Sequence, residues 1–281
     1  GPYIFKEWAR GQYYRITAND DYWGRPPNIK DASFIWRQEA SVRAAMLRTG
    51  EADWAYAISP EDAKNVPKYA AATSVETPVM RFNTENPVLK DKRVRLAMNL
   101  AFDKDLVIEK LFAGFAEPAR GQPMGEYVIG FNPDLKPYTY DPEQAKKLVA
   151  EAKADGVPVD TVELDLWLAK GRLPRWEELG EAMADGWGKI GLKVKVVIGE
   201  AAQVRDMLYA VQPGQKRNAM HMWPAGNELG DSSPMLDSMV RCGGRQSVHC
   251  DPALDEKIKK AGAAVGEERT KHFREVWKQV Y

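Results

Sequence analysis

A chain of 281 residues is long enough for one large domain or two ordinary ones with a substantial core. Its 40 basic and 40 acidic residues cancel and are interspersed, so the charge does not favour a nucleic-acid or anionic-membrane partner. No segment approaches the roughly 18 consecutive apolar residues that suggest a membrane-spanning helix.

The first part of the chain predicts strand and helix pieces of one lobe. The predicted strands, in chain order, are 3–8, 12–18, 33–37 and 52–57, and an extended segment follows at 73–83. A helix is predicted at 40–49 with Val42, Ala45 and Met46 facing inward, and Ser59 is expected to cap a second one.

Two short helices are predicted between residues 91 and 118. The first has apolar residues at helical spacing, namely Val94, Ala97, Met98 and Ala101. Asp103 is placed to cap the second helix, whose inner face is predicted to carry Val107, Leu111 and the aliphatic stem of Lys110.

The remainder of the chain alternates between helices and strands. After an irregular connection at 120–137, a helix capped by Asp141 is expected to bury Ala145, Leu148, Val149 and Ala152. Predicted strands lie at 162–168, 192–198 and 218–223, and predicted helices at 174–190, 201–211, 252–264 and 267–281. Strand, helix and strand over 162–198 predict two parallel strands with a crossover helix, so the fold class is α/β.

Six blocks of sequence are distinctive. They are D-K-R-V-R-L-A-M-N-L-A-F-D-K-D at 91–105, L-F-A-G-F-A-E-P-A at 111–119, N-D-D-Y-W-G-R-P-P at 19–27, R-A-A-M-L-R-T-G-E-A-D at 43–53, Y-T-Y-D-P-E-Q-A-K-K-L at 138–148 and W-G-K-I-G-L-K-V at 187–194. Together they resemble the family 5 extracellular solute-binding proteins, which are the peptide, nickel and oligosaccharide receptors of bacterial ABC importers. The blocks follow the order of the family and span nearly the whole chain.

This resemblance implies a periplasmic-binding-protein-like (type II) architecture of two α/β lobes. We expect residues 1–82 to belong to the first lobe and 83–281 to the second, with the hinge crossover at about 78–86. The chain is then interpreted as an internal fragment in which one lobe is incomplete. A signal peptide would lie outside such a fragment, so the resemblance implies a periplasmic, extracytoplasmic location.

The implied function is the solute-binding component of an ABC importer. It would bind a small solute (peptide-like, opine, sugar or metal chelate) between two lobes, without a cofactor, and deliver it to membrane permease subunits. A sensory or chaperone-like relative is the alternative, and a hydrolase is a further one. The sequence lacks G-x-S-x-G, G-x-x-x-x-G-K-[ST] and H-E-x-x-H motifs.

Ligands of open α/β folds bind beyond the carboxyl ends of strands, which directs attention to residues 223–231. The resemblance implies that Trp223 contacts ligand, with packing in the core as the alternative. In peptide-binding relatives an aspartate three residues later holds the ligand's ammonium group, but here Gly226 occupies that position. Asn227, Glu228 or Asp231 are candidates to replace it, although a loop aspartate such as Asp231 is also a good helix cap.

Three further side chains are candidate ligand contacts. Arg172 follows the predicted strand at 162–168 and is expected to bind a carboxylate, as an arginine does in this region of dipeptide-binding relatives. Arg175 is the alternative, and both could simply be solvated charges. Trp54, which follows a G-E-A-D turn typical of the family, is predicted to line the cleft or to pack in the core, and Arg37 is a weaker candidate.

Cys242 and Cys250 are the two cysteines of the chain, and two glycines lie between them. Their short spacing, together with the exported location that the resemblance implies, favours a disulfide over two free buried thiols. His249 does not complete a zinc motif, since the sequence has no second pair of cysteine or histidine ligands near it.

Overall fold

The computed structural model describes residues 1–209, 219–247 and 249–281. The chain divides into two compact units, Gly1–Tyr69 and Ala70–Tyr281. The predictions for residues 210–211 and 218, at the ends of a helix and a strand, lie outside the described residues.

The first unit contains an antiparallel sheet with the strand order β1-β2-β3. Its strands are β1 (Tyr3–Ala9), β2 (Tyr13–Ala18) and β3 (Asp31–Ile35), and its helices are α1 (Ala40–Thr49) and α2 (Pro60–Ala63). Aromatic cross-strand pairs join the strands: Tyr14 lies opposite both Trp8 and Phe34, and the Tyr14 and Phe34 rings stack with centroids 4.5 Å apart.

Two predictions for the first unit are wrong. Residues 52–57 form no strand. In α1 the buried residues are Ala44 and Met46, whereas Val42 is 42% exposed. The predicted cap of α2 is confirmed, because the Ser59 hydroxyl accepts a hydrogen bond from the backbone N–H of Asp62.

The second unit is an α/β arrangement. Its strands are β4 (Glu76–Phe82), β5 (Glu163–Ala169), β6 (Lys193–Gly199) and β7 (Ala219–Gly226). Its helices are α3 (Lys92–Leu100), α4 (Lys104–Phe112), α5 (Pro142–Ala154), α6 (Trp176–Lys189), α7 (Ala201–Tyr209), α8 (Ser233–Met239), α9 (Pro252–Ala263) and α10 (Gly266–Val280).

The strands of the second unit form one sheet in the order β4-β7-β5-β6. β5 is parallel to both β6 and β7, as the strand-helix-strand pattern predicts, and β4 is antiparallel to β7. Strand β4 was expected to close the first lobe, but its pairing with β7 places it in the second unit. Which parts of the chain form the two lobes of a receptor stays a prediction.

The main core of this unit lies on one face of the sheet. The predicted inward stripes of α3 and α5 are confirmed, since Val94, Ala97, Met98 and Ala101, and then Ala145, Leu148, Val149 and Ala152, are buried. They pack with the strand residues Leu164, Leu166, Leu168, Met220 and Met222. Within this core the indole N–H of Trp187 donates to the carbonyl of Met98 at 2.8 Å. The predicted inner face of α4 is only partly buried, and Lys110 is exposed there.

A second core formed by α8, α9 and α10 includes Ala225 of β7, with Val79 of β4 packed against it. Because side chains alternate along a strand, these two residues point away from the main core and helices cover both faces of the sheet. Among the described residues no helix is both long enough and apolar enough to span a membrane.

Candidate functional site

Three parallel strands bring their carboxyl ends to one edge of the sheet. β5 and β6 end side by side at Ala169 and Gly199, and β7 ends at Gly226. Since β4 runs the other way, its first residue Glu76 lies opposite Gly226 at the same edge. Turns that leave this edge can therefore present polar side chains together, which is where open α/β folds bind ligands.

Arg172, in the turn after β5, is a central residue of this edge. Its Nη2 donates to Oε1 of Glu76 at 2.9 Å, and the two side chains are 33% and 23% exposed. The guanidinium carbon lies 5.3 Å from the centroid of the Trp223 ring, a cation–π distance. Its Nε is buried and has no hydrogen-bond partner among the described residues. The structure thus brings together two predicted site residues, Arg172 and Trp223.

Trp223 lies within β7 and not in the loop after the strand, because the strand continues to Gly226. The indole is partly buried against Trp167, Ala169 and Val204. One part of the ring therefore packs on the sheet, and another contacts the Arg172 guanidinium. Both interpretations from the sequence, core packing and participation in a site, are compatible with this position.

Asn227 is almost fully buried, at 4% exposure. Its Nδ2 donates to the carbonyl of Pro123 at 3.0 Å, and its backbone N–H donates to the carbonyl of Val75 at 3.1 Å. These bonds hold the turn after β7 against the entry to β4. The side-chain Oδ1 is buried and has no donor among the described residues.

Asp231 is held by an ion pair within the protein. Its Oδ1 and Oδ2 accept hydrogen bonds from Nη2 and Nε of Arg269 at 2.7 and 2.8 Å, and Oδ1 also accepts from the backbone N–H of Ser233 at 2.9 Å. Burial alone would raise the pKa of Asp231, but the bonds from Arg269 and Ser233 outweigh it and hold that pKa at about 2. The carboxylate thus holds the first residue of α8 and connects it to α10.

The other candidates occupy different surroundings. Arg175 precedes α6 and pairs with Glu178 at 2.8 Å. Trp54 lies in the first unit and is 74% exposed. Arg37, also in the first unit, donates to the carbonyl of Trp36 at 2.8 Å. These facts leave the predicted role of Trp54 as a ligand contact untested.

His221 of β7 is a buried titratable side chain behind the edge. It is 8% exposed, and its Nε2 has no partner in the part of the chain that the structure describes. It lies opposite Arg81 of β4 and Trp167 of β5. Burial, and to a smaller extent the charge of Arg81, lower the pKa of His221 well below its ordinary value. The neutral form fits this buried position within the sheet.

Cys242 and Cys250 form a disulfide, with their Cα atoms 4.4 Å apart, so that prediction is confirmed. Over the described ranges, no group of three or more His, Cys, Asp or Glu side chains is arranged to hold a metal ion.

Sequence reasoning missed Glu76 as part of this edge. Glu76 is 96 positions from its partner Arg172, and no local motif marks it. The available signal was its position near the start of the extended segment predicted at 73–83. A correct pairing of that segment with β7 would have placed Glu76 beside the turn after β7.

Comparison with known proteins identifies the family. Residues 1–247 match the family model described as bacterial extracellular solute-binding proteins, family 5 Middle. The chain therefore belongs to family 5 of the bacterial extracellular solute-binding proteins, as its sequence blocks predict.

Individual relatives agree with this assignment. The dipeptide-binding protein of Escherichia coli K12 is 26% identical over 94% of this chain and 50% of its own length. Heme-binding protein A of Haemophilus influenzae is 28% identical over 98% and 51%. The crystal structure of NikA from Brucella suis with Fe(III)-EDTA is 25% identical, with a TM-score of 0.81 over 100% of this chain and 59% of that one. The chain thus spans about half the length of the relatives that it matches.

Proposed function

We propose that the full-length protein is the extracytoplasmic solute-binding component of an ABC importer. In this proposal it takes up a small solute and delivers it, chemically unchanged, to permease subunits in the membrane. Membership of family 5 supports the general role, and the relatives bind solutes as different as dipeptides and heme. The proposed location is the periplasm or its equivalent outside the cytoplasmic membrane.

The observation that carries the proposal is the cluster of Arg172 and Trp223 at the carboxyl edge of the sheet. A guanidinium binds a carboxylate through two parallel hydrogen bonds, and the buried, unpartnered Nε of Arg172 is one of the donors that such a bond needs. The indole of Trp223 holds the guanidinium plane in place and supplies apolar surface. We assign ligand contact to these two residues, and support of the neighbouring turn to Asn227 and Asp231.

Delivery to a permease requires that bound and free receptor differ in shape. Lobe closure in such a receptor is driven by contacts that the solute makes only in the closed state. Arg172 and Trp223 would supply one side of those contacts. A ligand with no preference for the closed state would bind without producing the form that a permease recognises.

The test is a titration of the full-length protein with peptides, opines, sugars and metal chelates, followed by tryptophan fluorescence. We expect one class to change the fluorescence and raise the melting temperature. Trp223→Ala should abolish the fluorescence change, and Arg172→Gln should weaken binding of a carboxylate ligand at least tenfold.

Trp187→Phe is the matched control, since Trp187 is buried on the opposite face of the sheet and its loss should leave the ligand response in place. A ligand that binds equally well to wild-type protein and to both site variants would refute the proposed site. The absence of any response across the four solute classes would refute the proposed function.

A further inference from the structure

The turn that carries Arg172 is held by neighbouring elements at the two residues before it. After β5, the backbone N–H of Lys170 donates to the carbonyl of Gly199 at the end of β6, at 2.9 Å. The backbone N–H of Gly171 then donates to Oε1 of Glu177, in the first turn of α6, at 2.7 Å. A hydrogen bond to a carboxylate is stronger than one to a neutral acceptor. The chain therefore reaches Arg172 in a direction that β6 and α6 have already set.

The same turn contains two residues in the left-handed backbone region. Gly171 has a φ of +61°, and Arg175, immediately before α6, has a φ of +59°. Glycine adopts this region freely, whereas a residue with a side chain adopts it only where its surroundings hold it there. At Arg175 the Nη1 group donates to Oε1 of Glu178 at 2.8 Å. The turn is thus an uncommon conformation that side chains of α6 stabilise.

Glu177 acts on the backbone of this turn, unlike the two residues that contact the Arg172 side chain. Among the described residues, that side chain bonds Glu76 and lies over the ring of Trp223. Its Nε is buried without a hydrogen-bond partner there, so the direction of this donor depends on where the turn places the rest of the residue. An arginine side chain is long and flexible, and holding it in place beforehand lowers the entropic cost of binding.

We propose that Glu177 is a positioning residue for Arg172. Its bond to Gly171 fixes the turn, and the fixed turn directs the Arg172 guanidinium towards the ring of Trp223. The Nε donor is then presented in one direction, while Glu177 itself makes no contact with the solute. This inference rests on the ligand contact proposed above for Arg172, and it adds what determines the direction of that side chain.

The test follows the Nε–H signal of Arg172 by NMR in the full-length protein, isotope-labelled on its arginines. The signal is assigned by its absence from Arg172→Lys. In wild-type protein the nearby indole should shift it away from the signals of solvent-exposed arginines, and Trp223→Leu should remove this shift. Glu177→Ala should lower the shift by at least half, because the guanidinium is no longer held over the ring.

Three variants separate the bond from other effects. Glu177→Gln should retain most of the shift, since its amide oxygen can still accept from Gly171. Gly171→Ala tests the turn independently: a Cβ there meets no atom within 4 Å, so the substitution disfavours only the left-handed conformation, and the shift should fall. Glu181→Ala is the matched control, because it removes an exposed carboxylate one turn further along α6 and should leave the signal unchanged.

An unchanged Arg172 shift in Glu177→Ala, with the melting temperature retained, would overturn the inference. A loss of equal size in Glu181→Ala would overturn it as well. If Glu177→Ala does not fold, Gly171→Ala decides in its place, and a full shift in that variant would refute the role of the turn.

The solute titrations described above supply the functional readout. For each solute class that Arg172→Gln weakens, Glu177→Ala should weaken binding about fivefold, and it should cause no further loss when combined with Arg172→Gln. Additive losses in the double variant would overturn the inference. If Arg172→Gln weakens no solute class, the proposed ligand site is wrong, whereas the NMR signal still decides whether Glu177 directs Arg172.

Discussion

The ion pair of Asp231 and Arg269 connects the turn after β7 to helix α10. Removing it tests how much this connection contributes to the free energy of unfolding. Arg269 makes two hydrogen bonds to the Asp231 carboxylate, and its Nη1 donates to the carbonyl of Gly262 at 2.6 Å near the end of α9. Replacing Arg269 with glutamine keeps much of the aliphatic stem but removes the charge and the fork of donors. Asp231, whose side chain is 17% exposed, then loses its counter-ion.

The loss in the free energy of unfolding that Arg269→Gln should cause can be calculated from the lowered pKa of Asp231. A fall from the ordinary 3.8 to about 2 corresponds to at most about 2.5 kcal/mol, at about 1.4 kcal/mol per pH unit. Residual solvent screening of the pair reduces this to about 1–2 kcal/mol. Loss of the bond to Gly262 adds about 1 kcal/mol. We therefore expect Arg269→Gln to lower the free energy of unfolding by about 2–3 kcal/mol at pH 7.

The pH dependence of the stability difference between wild type and Arg269→Gln distinguishes the contribution of the ion pair from that of the other Arg269 contacts. The folded-state pKa of Asp231 is lower than its unfolded value, so its stabilisation is complete above about pH 4 and disappears as the pH falls through about 2. The difference between wild type and variant should therefore shrink towards about 1 kcal/mol as the pH approaches 2.

Urea denaturation at pH 7, 4 and 2.5 measures this difference. Lys271→Gln is the matched control, since it makes the same charge change on an exposed position of α10 and should alter stability by less than about 0.5 kcal/mol. Equal losses for Arg269→Gln and Lys271→Gln, or a loss for Arg269→Gln that does not depend on pH, would refute the reasoning.

Two further predictions concern a buried histidine and the disulfide. The folded-state pKa of His221 is depressed, so the free energy of unfolding should fall by about 1.4 kcal/mol per pH unit on acidification below about pH 6.5. His221→Leu should make this dependence on pH less steep, whereas the control His249→Leu should leave it unchanged. Equal slopes in the two variants would contradict the prediction. Replacing Cys242 and Cys250 together with serine should cost about 2–3 kcal/mol from the short ring alone. Thermal melts with and without reductant check this, since reductant should destabilise only the wild type.

Those elements of the second unit that have a regular pattern of their own could be predicted well from the sequence. Val94, Ala97 and Met98 recur at helical spacing, and Leu164 and Leu166 alternate along a strand, so each element carries the signature of the face that it buries. The predicted caps at Asp103 and Asp141 are local as well, since each carboxylate accepts a backbone N–H within the first turn of its helix.

The failures occur where stability depends on a distant partner. A strand was predicted at residues 52–57, but a strand needs a neighbouring strand for its backbone groups, and a local stretch of sequence does not show whether one exists. Val42 fits the helical period of α1, yet Val42 is exposed and Ala44 is buried. The prediction failed because the sequence of a ten-residue helix does not determine which of its faces packs against the rest of the unit. The length of β7 was underestimated for the same reason, since its last residues are held by β4.

The candidate site contains both kinds of residue: those that a local sequence pattern predicts and those that only a distant partner positions. The positions of Arg172 and Trp223 near this edge could be predicted, because Arg172 follows one recognisable parallel strand, Trp223 lies near the carboxyl end of another, and parallel strands share a carboxyl edge. Glu76 could not be predicted in the same way, because its place there depends on the antiparallel register of β4 against β7. A shift of that register by one residue would move the carboxylate to the other face of the sheet and leave Arg172 without its counter-ion. The pairing of charges at this edge is therefore set by strand register as much as by the identity of the charged residues.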